Sequence, residues 1–142
     1  MPNNVYAEIN LHIIWHTKYN VPVINQLIED RLQHFLHHRI IETPEVLFHA
    51  IGGTPDHIHL AVSIPPTVHI SQWIGELKGA SGYYINNKIA NSKLLEWQHG
   101  YGVVSFGRKD LPWVVRYIHN QKQHHAQGRI EQRLEKIEMV AN

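Results

Sequence analysis

Four side chains in this sequence have types and spacings that suit joint chemistry: His57, His59, Tyr117 and Gln121. The motif His57-Ile58-His59 lies in a β-rich run, and an extended strand sends residues i and i+2 to one face. The two imidazoles should therefore stand side by side, roughly 7 Å apart along a pleat. Imidazole is a common ligand for divalent metals, yet two of them leave most of a coordination sphere empty. In Tyr117-Ile118-His119-Asn120-Gln121, the first and last residues lie one helical turn apart on one face. Glutamine offers a neutral carbonyl oxygen to a metal, and the phenolic hydroxyl can attack an electrophile beside it. That combination points to phosphoryl transfer.

Elements that position these groups can be read from periodicity. Residues 5–16 alternate, with Ile9, Leu11, Ile13 and Trp15 on one side, and form a first strand. Asn25 can cap a helix over 26–41, where Leu27, Ile28, Leu32, Phe35, Leu36 and Ile40 recur at helical spacing until Pro44 intervenes. Runs 46–51 and 57–64 flank Gly52-Gly53-Thr54-Pro55-Asp56 and read as an antiparallel pair. A second helix follows over 70–89, weakened by Gly75, Gly79 and Gly82. Residues 102–106 form another short strand, and 111–123 a third helix behind the cap Asp110, with Pro112 in its first turn. This order implies an α+β fold: a ferredoxin-like or RRM-like antiparallel sheet with helices mainly on one face.

The chain has 142 residues, 43% of them hydrophobic, which suits one domain spanning 1–142 with a real core. No apolar run approaches the ~18 residues of a membrane span and no leader pattern opens the chain, so a cytoplasmic protein is expected. With no cysteine, disulfides, thiolate metal sites and cysteine nucleophiles are excluded. A formal net charge of +1 neither requires nor excludes a nucleic-acid partner.

The strand motif His57-Ile58-His59, Ser63-Ile64-Pro65-Pro66, Leu77-Lys78-Gly79-Ala80-Ser81, Trp97 with Gly100-Tyr101-Gly102, and Tyr117-Ile118-His119-Asn120-Gln121 with His124-His125 occur in this order. Together they resemble the small single-tyrosine HUH transposases of bacterial and archaeal insertion sequences, the transposase A-like and REP-associated tyrosine transposase superfamily. The resemblance runs from the first strand to His125. It implies a homodimer that cuts and rejoins single-stranded DNA at hairpin-marked element ends through a 5′-phosphotyrosine, with Mg2+ or Mn2+. Matching positions assign His57, His59 and Gln121 to the metal and Tyr117 to the nucleophile. They also imply that the tyrosine helix of one protomer can dock on its partner's metal site. The tail after His125 is short, with residues 129–139 at helical spacing.

Physical chemistry is consistent with that assignment. A phenol with a pKa near 10 is only about 0.1% ionised at neutral pH and needs a nearby cation to become a nucleophile. Neutral ligands leave a metal's charge uncompensated, and a tyrosyl ester keeps the phosphodiester's energy for rejoining. Lys78, Arg108 and Lys109 are candidate phosphate contacts, Lys78 first because small residues flank it. His34, His37, His38, His49, His99, His124 and His125 are expected in surface, packing or DNA-contact roles, and His12 and His16 share a strand face but lie roughly 13 Å apart, too far to chelate one ion. Trp73, Trp97 and Trp113 are expected as core anchors. A histidine-triad hydrolase would need histidine where Ala61 stands, and a paired His-x-Ser/Thr phosphodiesterase would need a second motif beside His69-Ile70-Ser71. An RNA-binding module would display aromatics where His57 and His59 are. A domesticated or inactive single-stranded DNA- or RNA-binding protein with the same fold is the alternative.

Overall fold

A computed structural model describes residues 4–137. Four strands, β1 (Asn10–His16), β2 (Leu47–Thr54), β3 (His57–Ser63) and β4 (Gly102–Phe106), form one antiparallel sheet in the order β2-β3-β1-β4. Helix α1 (Gln26–Ile41) joins β1 to β2, and α2 (Ile70–Tyr84) joins β3 to β4, giving the expected α+β arrangement. Asn25 caps α1 as anticipated, its side-chain oxygen accepting the Ile28 N–H at 3.0 Å. Helix α2 runs on into a π-turn over Ile85–Ile89.

Alternation along the central strands decides what each face does. Leu11, Ile13 and Trp15 of β1 and Ile58, Leu60 and Val62 of β3 are buried beneath α1 and α2, packed on Leu32, Leu36, Ile74 and Leu77. This apolar layer is the main core. The opposite face carries His12, Ile14 and His16 beside His57, His59 and Ala61, since His16 pairs with His57 and Ile14 with His59. Across this second face lie three short helices, α3 (Leu111–His119), α4 (Gln121–Ala126) and α5 (Gln132–Glu135). The two long helices thus share one face, while the polar face is covered by the segment that carries Tyr117.

Several boundaries differ from the sequence reading. Residues 5–9 are not strand, because β4 and β3 offer partners to β1 only from Asn10 onward. The glycines expected in the turn belong to β2, and the hairpin turns on Pro55-Asp56 alone. Their small size serves packing: a Cβ on Gly52 would collide with the backbone oxygen of Ile118, so α3 can settle this close only over glycine. The expected helix over 111–123 breaks at Asn120, whose φ of −107° and ψ of 25° separate α3 from α4. Asp110 precedes α3 without a side-chain capping bond, and a 3₁₀ turn over Arg108–Asp110 leads in instead. Of the helical spacing at 129–139, only α5 is helix among the described residues, and Met139 lies outside them.

Candidate active site

His57 and His59 project from β3 onto the covered polar face and are 3% and 0% exposed, with ring centroids 5.0 Å apart. Each ring is held through Nδ1. His57 Nδ1 lies 2.7 Å from Asp56 Oδ1 and 2.8 Å from Thr54 Oγ1, and His59 Nδ1 lies 2.8 Å from His12 Nε2. His16 stacks on His57 at 4.7 Å between centroids. A neutral ring that donates its Nδ1–H, as His57 does to the Asp56 carboxylate, keeps a free lone pair on Nε2, and metal-ligating histidines are commonly oriented in this way. Burial, aided by neighbouring histidines, keeps these rings neutral, lowering His57 to about 4 and His12 to about 3. Burial likewise lowers His59.

Both Nε2 atoms are buried with no hydrogen-bond partner among the described residues. They face Glu135 of α5, whose Oε1 lies 3.5 Å from His57 Nε2 and 3.2 Å from His59 Nε2. With Asp56 accepting the His57 Nδ1–H, the His57 Nε2 lone pair faces a carboxylate oxygen with no proton to share, and a divalent cation between the two rings and Glu135 would satisfy all three groups. The donor set therefore fits a metal. Gln121, 1% exposed, donates its amide N–H to the Tyr117 carbonyl at 3.1 Å, and its oxygen meets His125 Nε2 at 3.1 Å. It approaches the histidine pair through His125, which was expected elsewhere but has its ring centroid 4.8 Å from that of His57.

Tyr117 is 4% exposed and clamped between Trp113, at 5.5 Å, and His124, at 4.9 Å, both nearly parallel to its ring. Its hydroxyl donates to Glu135 Oε2 at 2.5 Å and accepts the Glu131 N–H at 2.7 Å. Burial above all, with the Glu135 carboxylate, raises its pKa, against the opposing pull of the Glu131 N–H. Burial opposes ionisation of Glu135, but the His59 and Tyr117 contacts outweigh it and hold the carboxyl down to about 2. In this conformation the phenol is a proton donor.

The structure thus brings His57, His59, Tyr117 and Gln121 into one region and adds His12, Asp56, Trp113, His124, His125 and Glu135. The strand partners had a signal in the alternation of β1, because His12 and His16 share a face; that this face meets His57 and His59 needed the register. Trp113, expected in the core, is 44% exposed and serves as the outer plate of the tyrosine clamp, whereas Trp73 is buried as expected. Lys78 donates to the carbonyls of Gln98 and Gly100 at 2.7 and 2.8 Å and so ties α2 to the loop before β4. Arg108 pairs with Glu8, and Lys109 is exposed.

Residues 5–121 match the family described as "Transposase IS200 like". The chain belongs to the IS200-like transposase family. Its matched span covers every strand and ends on Gln121, the residue that closes the Tyr117 motif. Among relatives of this transposase is the ISDra2 transposase TnpA of Deinococcus radiodurans, 25% identical over 122 residues, covering 80% of this chain and 84% of the relative. A solved structure of a protein from Deinococcus radiodurans R1 superposes with a TM-score of 0.66 at 21% identity, covering 91% of this chain and 96% of that one. A REP-associated tyrosine transposase bound to a REP hairpin superposes with a TM-score of 0.59 at 16% identity, covering 92% and 75%. These likenesses place the fold among transposases. No helix among the described residues is long and apolar enough to cross a membrane.

Proposed function

We propose that this transposase binds hairpin-marked insertion-sequence ends and cleaves and rejoins single-stranded DNA through a 5′-phosphotyrosine on Tyr117. The observation that carries the reading is the convergence of two buried imidazole nitrogens and the Tyr117 hydroxyl on a single carboxylate, Glu135. A group contacting both the histidine pair and the phenol must be small, anionic and bifurcated, as a scissile phosphodiester is. The hairpin-bound relative supports DNA hairpins as the partner.

His57, His59 and Gln121 would hold the metal, Mg2+ or Mn2+, with Asp56 and His12 orienting the rings. Once bound, such an ion supplies charge that polarises the phosphate and favours phenolate. The clamp of Trp113 and His124 aims the Tyr117 oxygen, which forms a bond to phosphorus while the bond to the 3′ oxygen breaks. Tyr117 gives up its hydroxyl proton as the ester forms, the departing 3′ oxygen takes up one proton and leaves as a hydroxyl, and attack by such a hydroxyl reverses the step without ATP. Arg108 and Lys109, at the entry to α3, are the proposed contacts for backbone phosphates, with Lys78 joining if its loop contacts open. Two element ends require two such sites, which a homodimer would provide.

Incubation with manganese and labelled single-stranded oligonucleotides from the element ends tests this. A denaturation-resistant protein–DNA adduct is expected, and it should be absent from Tyr117→Phe. Neither cleavage nor adduct with several authentic ends would favour a binding protein that has lost strand transfer.

A further inference from the structure

The histidine pair does not face Glu135 alone. His125, on α4, brings its Nε2 to 3.5 Å from the same Glu135 Oε1, so one carboxylate oxygen stands 3.5, 3.2 and 3.5 Å from three imidazole nitrogens. One ligand atom each from His57, His59, His125 and Glu135 lie mutually within 4.8 Å. Around a tetrahedral ion with ligands about 2.1 Å away, neighbouring donor atoms are about 3.4 Å apart. The three measured separations match that edge. Two of the nitrogens are buried without a partner and their opposite ring nitrogens are already engaged, while the third, His125 Nε2, donates to Gln121 Oε1 at 3.1 Å and would give up that proton on binding an ion.

We infer that His125 and Glu135 are metal ligands together with His57 and His59, forming a closed four-donor site when α5 is in place. Three imidazoles and one carboxylate suit zinc-class ions better than magnesium, which favours oxygen ligands and retains water. Closed four-coordinate sites lack the open position that catalysis requires. Glu135 therefore occupies, with its two oxygens, the place between ion and phenol where a phosphate would go. Gln121 Oε1 lies beside this donor set, 3.1 Å from His125 Nε2.

The placement of α5 is built rather than incidental. Leu134 is 2% exposed, Arg133 donates to the Ser105 carbonyl on β4, and a Cβ on Gly102 would collide with the Lys136 backbone oxygen. Glycine on β4 is what lets the segment lie this close to the sheet.

The inference rests on the reading of His57 and His59 as metal ligands, and Co2+ binding to the full chain separates the two. Four-coordinate Co2+ gives intense visible bands and six-coordinate Co2+ weak ones. The wild-type protein is expected to show the intense bands. Glu135→Gln and His125→Ala should each weaken them and lower Zn2+ affinity at least about tenfold by chelator competition. Thermal melts check that each variant is folded. Weak bands that persist unchanged in both variants but vanish in His57→Ala would overturn the inference and leave the metal reading standing. A wild-type chain that binds neither Co2+ nor Zn2+ would overturn both.

Discussion

At the scale of single residues, the candidate site is a problem in directing lone pairs. His57 and His59 are useful to a cation only if Nε2 is unprotonated, and that is decided by what each Nδ1 touches. Asp56 settles this for His57, because a carboxylate only accepts, and for His59 it follows the tautomer of His12, on the neighbouring strand. His12 is a positioning residue that would never touch the ion. Its replacement, His12→Leu, should lower metal affinity by about 10–100-fold in a chelator competition. The same variant leaves His59 Nδ1 buried without a partner, so urea unfolding should show a loss of about 1–3 kcal/mol. Unaltered metal affinity would mean that His59 needs no such orientation. Tyr117 presents the converse case, because burial and the ionised Glu135 keep its proton on. On the proposed reading it becomes a nucleophile only when that carboxylate is replaced, so the adduct assay and the metal-binding assay address different states of one site.

At the scale of elements, close approach is what gathers the site. Helix α3 carries Tyr117 to the sheet over Gly52, and the neighbouring contacts Ala50, Ala61, Val114 and Ile118 form a second small apolar cluster beneath it. Gly52→Ala would push a methyl against the Ile118 carbonyl, a backbone atom that cannot rotate away. The expected result is a loss of about 1–3 kcal/mol in urea unfolding. Adduct yield should fall as well, since Tyr117 immediately precedes the displaced residue; full yield would show that α3 has slack. The break at Asn120 has its own effect. A continuous helix would have carried His124 and His125 along its axis away from the sheet, whereas the break lets His124 stack on Tyr117 and His125 face His57. Lys122, just past the break, reaches Glu29 of α1 at 2.5 Å and links the two layers around the β2 side of the sheet.

At the scale of the whole molecule, one chain brings Tyr117 to its own histidines, with Tyr117 and His59 ring centroids 6.0 Å apart. The resemblance to single-tyrosine transposases implied that the helix could instead serve a partner. These arrangements give opposite results in a verified mixed dimer of Tyr117→Phe with His57→Ala. In the arrangement seen here, each mixed protomer lacks one half of its own site, so no adduct is expected. Recovery of adduct would show that the tyrosine segment crosses between protomers after α5 releases it.

The local parts of this molecule were legible in its sequence because local physics writes them. Period-two alternation marked β1, the Asn25 cap and 3.6-residue spacing marked α1, and the pair of histidines two apart had to share a strand face. The spacing from Tyr117 to Gln121 put both residues one helical turn apart, and the family match ends on the latter. What alternation could not supply was register: His12 and His16 become neighbours of His59 and His57 only because β1 pairs antiparallel with β3 at that offset. Glu135 was beyond reach for a similar reason. Nothing in Gln132-Arg133-Leu134-Glu135 distinguishes an exposed turn of helix from one laid over a glycine on β4, because that contact joins residues far apart in the chain. Sequence alone determined that two histidines share a strand face and that Tyr117 and Gln121 share a helical one, because those spacings are local; tertiary packing decided that the two faces meet and that Glu135 stands between the histidines and the phenol.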